Sequence, residues 1–94
     1  MATQVRIHGH VQGVWFRAWT QKAARAHKLD GWVRNTADGC VEALFDGDVD
    51  SLQAMLKACH QGPPNATVTA VEVINTADAA QVSTGAGFFI LDDA

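Results

Sequence analysis

Two hydrophobic periodicities follow one another along this chain, and their order is the strongest constraint on its fold. Apolar and polar residues alternate over residues 5–11, which predicts a half-buried strand. Residues 16–28 are good helix formers whose larger apolar side chains recur at helical spacing. The predicted buried face of this helix consists of Phe16, Trp19, Ala23 and Ala26.

Strands and a helix follow in a second, similar succession. Residues 31–36 and 40–46 are predicted strands, and the Asp-Gly pair at 38–39 predicts a hairpin turn between them. Asp48 is the expected N-cap of a second helix, which the Gly-Pro-Pro sequence at 62–64 ends. The predicted apolar stripe of that helix consists of Val49, Leu52, Met55, Leu56 and Cys59.

The last third of the chain completes the pattern. Residues 67–75 form a fourth predicted strand, and its apolar phase shifts between Ala70 and Val71, which indicates a β-bulge. Residues 77–87 are small and polar, as in a loop, and residues 88–91 allow a short fifth strand at the sheet edge. The order β-α-β-β-α-β predicts an α+β fold. We expect a ferredoxin-like sandwich whose antiparallel sheet of four to five strands carries both helices on one face.

Composition limits the number of domains and the classes of partner. The chain has 94 residues, of which 48% are hydrophobic and 18% charged, and this predicts one domain over residues 1–94. Its net charge of −3 argues against non-specific nucleic-acid binding and against a polybasic membrane-surface protein. The N-terminus lacks the apolar core of a signal peptide, and no apolar run reaches the roughly 18 residues of a membrane span. We therefore expect a cytoplasmic protein.

The stretch from Gly9 to Arg17 joins the first predicted strand to the first predicted helix, and it has the layout of an anion site. A helix N-terminus presents free N–H groups, Gly13 permits an unusual backbone conformation, and Arg17 supplies a permanent positive charge. Successive amides around one point form a nest for phosphate oxygens. A plain strand-to-helix turn with a surface arginine is the alternative that this stretch leaves open.

A second stretch, residues 31–41, favours the anion site. Its sequence Gly-Trp-Val-Arg-Asn-Thr-Ala-Asp-Gly-Cys-Val resembles the G-[aromatic]-V-[basic]-N-x-x-x-G-x-V signature of the acylphosphatase family, with Gly47 at the spacing of the trailing glycine. Residues 9–17 resemble the other signature of that family, G-x-V-Q-G-V-x-F-R. The resemblance continues at Gly62, Pro63, Ala66 and Val68 and so spans nearly the whole chain.

The resemblance implies hydrolysis of the carboxyl–phosphate bond of acyl phosphates to a carboxylate and inorganic phosphate, with neither metal nor organic cofactor. Arg17 matches the arginine that binds the substrate phosphate, and Asn35 matches the asparagine that positions the attacking water. The implied partners are a small-molecule acyl phosphate, and inorganic phosphate as product and inhibitor. We expect a monomer that binds neither nucleic acid nor membranes. The residues that match the family's phosphate-binding loop are Gln12, Gly13, Val14, Trp15 and Phe16.

The chemistry agrees with so small a set of groups. The carboxylate leaving group is stable as an anion, so the enzyme needs no general acid and has mainly to position reactants and hold charge. Asn35 cannot act as a general base, but its amide can hold a water molecule. Alternation places Asn35 on the same strand face as Gly31 and Val33. A strand-end asparagine that caps the neighbouring turn is the alternative interpretation.

The histidines and the first cysteine carry simpler interpretations. His8 and His10 share a strand face, but no third ligand is predicted beside them, so we interpret them as solvated histidines and not as a metal pair. Cys40 has no evident histidine partner, which argues against a catalytic thiol.

The tryptophans and the C-terminus also bear on the site. Trp19 is expected in the core, whereas Trp15 and Trp32 are expected to line the acyl side of the pocket. The acidic pair at residues 92–93 departs from the basic ending of many family members.

Two other functions share this order of elements. An RNA-recognition module needs exposed aromatic side chains on its central strands and a basic surface, which the acidic residues of 40–46 and the net charge of −3 oppose. Acylphosphatase-like modules also form the N-terminal part of hydrogenase-maturation carbamoyltransferases, whose substrate is carbamoyl phosphate. The 94 residues leave no room for such partner domains, so we expect a free-standing enzyme.

Overall fold

The computed structural model describes residues 2–77 and 87–93, which form two helices and five strands. The elements are β1 (Ala2–His10), α1 (Phe16–Ala26), β2 (Asp30–Asn35), β3 (Val41–Asp46), α2 (Val49–Gln61), β4 (Thr67–Ala77) and β5 (Phe88–Ile90). The predicted order of elements is confirmed, and most of the loop predicted at 77–87 lies outside the described residues. In the part of the chain described, no helix is long and apolar enough to cross a membrane.

The five strands form one sheet in the order β4-β1-β3-β2-β5. β1 pairs antiparallel with β3 and β4, and β2 pairs antiparallel with β3. β5 instead runs parallel to β2, alongside residues 31–33, so the sheet is mixed and the prediction of an antiparallel sheet is wrong at its fifth strand. The reason is that β5 does not form a hairpin with β4 but adds to the opposite edge of the sheet, where a parallel direction is available.

Both helices pack on one face of the sheet, as predicted. α1 lies against β2 and β5, α2 lies against β4, and the two helices contact each other. The core between the layers is formed by alternate residues of the three central strands, by one residue of the edge strand β5 and by residues from both helices. Its strand members are Val5, Ile7, Val33, Val41, Ala43, Phe45 and Phe88. This arrangement confirms the ferredoxin-like α+β fold.

The buried face of α1 differs from the predicted one. Phe16, Thr20 and Ala24 are buried, whereas Ala26 is exposed. Thr20 can enter the core because its hydroxyl donates a hydrogen bond to the carbonyl oxygen of Phe16 at 2.8 Å, which satisfies the polar group without water. A hydrophobic pattern cannot show this, since it counts threonine as polar.

α2 begins and ends where the sequence predicts. Asp48 is its N-cap residue, and Gly62 ends it with a φ of 66°. Leu52, Met55 and Cys59 are buried as expected. Val49 is the exception within the predicted stripe, because it lies in the first turn and stays 49% exposed.

The β2–β3 hairpin turns through residues 36–40. The amide of Thr36 donates to the carbonyl of Cys40 at 3.0 Å, and the amide of Gly39 donates to the carbonyl of Thr36 at 3.3 Å. Gly39 has a φ of 91°, which a glycine adopts without strain. The predicted hairpin is therefore present, with five residues between its two strands.

β4 carries two bulges against β1, and neither lies where the sequence predicts one. The register shifts leave Thr69 and Ile74 without partners in β1, whereas the prediction lay between Ala70 and Val71. The first bulge accompanies a close approach of the two strands, since a Cβ on Gly9 would fall 2.0 Å from a backbone oxygen of β4. Backbone contact, and not the apolar pattern, thus sets its position.

Candidate active site

α1 begins at an N-terminus that carries no acidic residue in its first turn and takes no capping hydrogen bond from any side chain in the described part of the chain. Its N-cap residue, Trp15, has the left-handed values φ 67° and ψ 23°. Gly13 also has a positive φ of 75°, and Val14 between them does not. Such an alternation turns successive N–H groups towards a common point, which together with the helix N-terminus makes a backbone anion site.

A cavity of about 420 Å³ opens beside this N-terminus. It reaches from the loop before α1 and the first turn of that helix to the end of β2 and the edge strand β5. Its lining residues are Val11, Gly13, Trp15, Phe16, Arg17, Ala18, Asn35 and Ile90. The two side chains that the sequence singles out, Arg17 and Asn35, therefore face the same space.

Asn35 is the last residue of β2 and lies on the helix-covered face with Gly31 and Val33, as alternation predicts. It is 8% exposed. Among residues 2–77 and 87–93 no hydrogen bond reaches its side-chain amide, and neither polar atom of that amide is among the atoms buried without a partner. The amide is therefore open to the cavity that Asn35 lines.

Arg17 stands in the first turn of α1 and keeps 40% of its side chain exposed. Its Nη1 donates to a carboxylate oxygen of Asp93 at 3.2 Å. The acidic C-terminal end therefore lies next to the cation of the cavity. The sequence gives no signal for this contact, because 76 residues separate the two partners.

Gln12 ties the loop before α1 to the β2–β3 hairpin. Its Nε2 donates to the carbonyl oxygens of Thr36 and Cys40, both at 2.8 Å. Both hydrogens of the amide are thereby used, so the Gln12 side chain has none left to donate to an anion. The loop that faces Arg17 and the turn that follows Asn35 are held together by this one side chain.

Comparisons with known proteins show the family of this chain. The Acylphosphatase family model matches residues 3–90. The chain belongs to the acylphosphatase family. It is 56% identical to an acylphosphatase of Rhodospirillum rubrum over 69 residues, which cover 73% of this chain and 76% of the relative. As a member of this family, the protein hydrolyses acyl phosphates to a carboxylate and inorganic phosphate.

Solved structures of the acylphosphatase family resemble the whole chain. The crystal structure of acylphosphatase from Bacillus subtilis superimposes with a TM-score of 0.85 at 35% identity, covering 96% of this chain and 97% of that one. HypF from T. kodakarensis superimposes with a TM-score of 0.82 at 23% identity, covering 100% of this chain and 12% of HypF. At that identity the likeness to HypF concerns the fold alone.

The loop at residues 12–16 is held in place by two of its side chains, which are buried in the hydrophobic core. Val14 is 7% exposed and Phe16 is 1% exposed, and both belong to the hydrophobic core. The ring of Phe16 packs so closely on Gly62 that a Cβ there would lie 2.7 Å from it. These buried side chains hold the loop against the core, beside the cavity that Gly13, Trp15 and Phe16 line.

The three tryptophans take three different positions. Trp15 is 81% exposed and lines the cavity, as predicted. Trp19 is half-buried and packs edge-on against Phe16, with ring centroids 5.4 Å apart. The prediction that Trp32 lines the acylphosphatase pocket is wrong, because alternation turns it to the open face of the sheet. There the guanidinium of Arg34 lies 4.9 Å from its ring centroid.

The prediction that Cys40 has no histidine partner is also wrong. The Sγ atom of Cys40 lies 3.4 Å from Nδ1 of His8. Within the described ranges, no three His, Cys, Asp or Glu side chains are grouped so that they could hold a metal ion.

Proposed function

We propose that acyl phosphates are hydrolysed in the cavity between the start of α1 and the end of β2. Arg17 and the backbone amides of Gln12 to Phe16 hold the phosphoryl group, and Asn35 positions the attacking water. The observation that carries the proposal is that the arginine, the asparagine and an uncapped helix N-terminus line one cavity.

The part of the proposed site that binds phosphate consists of the Arg17 guanidinium and the backbone amides of the loop. Arg17 stays protonated at any working pH, and its planar fork matches two phosphate oxygens. The loop amides add donors that need no reorganisation when charge shifts during transfer, and each such donor is typically worth about 10²–10³ in rate. The substrate phosphate replaces the carboxylate of Asp93 as the partner of Arg17.

The water half of the site consists of Asn35. Its amide offers an acceptor and two donors, which can hold a water in line with the phosphorus atom and the leaving oxygen. The water oxygen bonds to phosphorus while the bond from phosphorus to the carboxyl oxygen breaks. The carboxylate leaves without a proton from the enzyme.

The proton of the water goes to a phosphate oxygen in this proposal. None of the residues that line the described cavity carries a carboxylate or an imidazole, and the neighbouring carboxylate of Asp93 is paired with Arg17. We therefore assign no side chain as a general base. The same lining supports hydrolysis without a metal ion. We expect competitive inhibition by inorganic phosphate, because the product keeps the group that the loop binds.

The proposal includes a cytoplasmic monomer that acts as one domain over residues 1–94 and uses a small-molecule substrate without nucleic acid. A maturation role on carbamoyl phosphate has less support, since the chain resembles HypF in fold only and corresponds to 12% of it. A panel of acetyl, benzoyl and carbamoyl phosphate, each assayed in the presence of a chelator, separates these substrates. Activity that requires a divalent ion would contradict the mechanism.

The two side chains are tested by comparing turnover with phosphate binding. Arg17→Ala should lose both, because phosphate charge is present throughout the reaction. Asn35→Ala should lower kcat by about 10² or more while the Ki of inorganic phosphate changes little, because the water is held only for the transfer. Asn35→Asp should do no better, since its carboxylate repels the phosphate.

Matched controls are available in the same molecule. Lys22→Ala removes an exposed cation of α1 that does not line the cavity, and Asn65→Ala removes an exposed asparagine. Both should keep the parent kcat and Ki, and circular dichroism checks the fold of every variant. An Asn35→Ala protein with parental kcat, or an Asn35→Asp protein faster than the parent, would overturn the assigned role.

A further inference from the structure

Among the polar side chains on the face of the sheet that the helices do not cover, three form a connected group that acyl-phosphate hydrolysis does not use. Ile7 of β1 pairs with Val41 of β3, and both side chains are buried beneath the helices. His8 follows Ile7 in β1 and therefore faces the open side of the sheet. Cys40, the hairpin residue before Val41, contacts it there. Glu72 of β4 completes the group from the other side of β1.

The distances within this group define its hydrogen bonds. Nε2 of His8 lies 3.0 Å from a carboxylate oxygen of Glu72, and Nδ1 of the same ring lies 3.4 Å from Sγ of Cys40. A carboxylate can only accept, so Nε2 carries the proton. In the neutral ring Nδ1 then has a lone pair that faces the thiol. A nucleophile, a base and a group that orients the base are thus connected in sequence.

We propose that Cys40 is a reactive thiol that forms a mixed disulfide with small disulfides, with His8 as its base and Glu72 as the residue that positions His8. The proton of the thiol moves to Nδ1 of His8, and Sγ attacks one sulfur of the small disulfide. The sulfur–sulfur bond of the reagent breaks, and its second sulfur leaves as a thiolate that takes the proton from His8. One protein–reagent disulfide and one free small thiol are formed.

The surroundings of the thiol make its reaction depend on that base. Burial raises the pKa of the Cys40 thiol, and the Asp38 carboxylate raises it further through its charge and a hydrogen bond with the thiol. The Arg6 guanidinium and a hydrogen bond with Thr36 act in the opposite direction. The thiol is therefore protonated at neutral pH. A group that accepts its proton at hydrogen-bond distance then decides how fast the thiolate is formed.

The second cysteine provides a comparison within the same molecule. Cys59 is 0% exposed in the core under α2, and burial raises the pKa of its thiol to about 12. Cys40 keeps 7% of its surface exposed at the end of a hairpin whose tip residues are exposed. The folded protein should therefore react at one of its two cysteines.

The test uses the intact protein and the neutral reagent 2,2′-dithiodipyridine, whose released thione is followed by absorbance, and mass spectrometry of peptides locates the adduct. The expected result is a single adduct at Cys40, with Cys59 unmodified until the chain is unfolded in urea. His8→Gln should slow the reaction at least tenfold at pH 7. His10→Gln, which changes an exposed histidine on the same strand, should react at the parental rate.

Glu72→Gln distinguishes positioning from mere packing. Glu72 is exposed, so its substitution should leave the fold intact. Nitrogen NMR should show the Nε2-protonated form of His8 in the parent and a mixture of tautomers in Glu72→Gln, with labelling slowed severalfold. In urea all variants should react alike. Labelling of Cys59 as fast as Cys40, a parental rate in a folded His8→Gln, or an unchanged tautomer and rate in Glu72→Gln would each overturn the proposal.

Discussion

The two helices of this fold start in opposite ways. α1 starts at Trp15 in a left-handed conformation, with no acid in its first turn and a cavity in front of it. α2 starts at Asp48 in an extended conformation (φ −64°, ψ 143°), and Asp50 lies in its first turn. Asp48 takes no hydrogen bond through its side chain from the described residues, but its backbone carbonyl accepts the amide of Leu52 at 2.9 Å.

The comparison shows that a helix dipole alone does not make an anion site. Every helix N-terminus carries a partial positive charge, and α2 neutralises its own with the carboxylates of Asp48 and Asp50. α1 has no acidic residue in its first turn, and Gly13, Trp15 and Arg17 surround its N-terminus, where we propose that phosphate binds. An anion site therefore needs the absence of acids and the alternating φ values as much as it needs the helix.

Of the changes that test this comparison of the two helices, the largest effect is expected from giving α1 the acidic first turn of α2. Ala18 is exposed and lines the cavity, so Ala18→Asp would bring a carboxylate to the proposed phosphate position. At a separation of about 5 Å and an effective dielectric constant of about 20, repulsion approaches 3 kcal/mol, and solvent reduces it. We expect the Ki of inorganic phosphate to rise at least about tenfold. Ala18→Asn is the neutral control and should stay near the parent; equal Ki values for both variants would contradict the dipole comparison.

A smaller effect is expected from Gly13→Ala. No atom lies within 4 Å of the added Cβ, so the cost is conformational and comes from the φ of 75°. It amounts to about 1–2 kcal/mol in stability, and the misdirected amides should raise the phosphate Ki about fivefold. Gly39→Ala is a matched control, because its φ is 91° and its Cβ also meets open space. It should lose similar stability in urea unfolding and keep its Ki; equal changes in Ki would assign the effect to strain alone.

Asp50→Asn tests the other helix. Removing this charge should lower the free energy of unfolding by about 0.5 kcal/mol, because the dipole of α2 loses one of its two counter-charges. Urea unfolding at low ionic strength measures the loss, and added salt should reduce it. The kcat and the phosphate Ki should stay parental. A change in either would mean that the two helix starts are coupled.

The smallest effect is expected from Asp93→Asn. The ion pair of Asp93 with Arg17 is exposed, and such pairs contribute about 0.2–1 kcal/mol. Phosphate competes with this carboxylate for the guanidinium, so its removal should lower the phosphate Ki about twofold at low salt. Asp92→Asn changes the neighbouring charge and controls for the general field. A higher Ki in Asp93→Asn would show that the carboxylate positions Arg17 and does not compete.

The elements that the sequence predicts well are those with local signals. The alternation in β1, the Asp-Gly pair of the hairpin and the Gly-Pro-Pro end of α2 each depend on neighbouring residues, and the structure has these elements within a few residues of the predicted bounds. Gly13 and Arg17 could be singled out because the loop and the helix start are continuous in sequence. The role of Asn35 is predicted by the family resemblance, and strand alternation predicts which face of the sheet it occupies.

The features that the sequence does not predict depend on how distant strands align. The pairing of β5 with β2, the bulges of β4 and the contact of His8 with Cys40 all follow from register between separate segments. His8 and Cys40 are 32 residues apart and become neighbours only because β1 lies next to β3. The prediction that Trp32 lines the pocket is wrong for a related reason. It neighbours Gly31 in sequence, but the side chains of consecutive strand residues point to opposite faces.

The hydrogen bonds of Gln12 have a consequence for the dynamics of the hairpin. Because the loop before α1 and the turn at residues 36–40 share this side chain, a ligand that orders one must also order the other. Linkage makes this reciprocal, so a hairpin that opens less often binds phosphate more tightly. The amides of Thr36 and Gly39, both bonded within the turn, should then exchange their hydrogens with solvent more slowly when phosphate is bound, although neither lines the cavity.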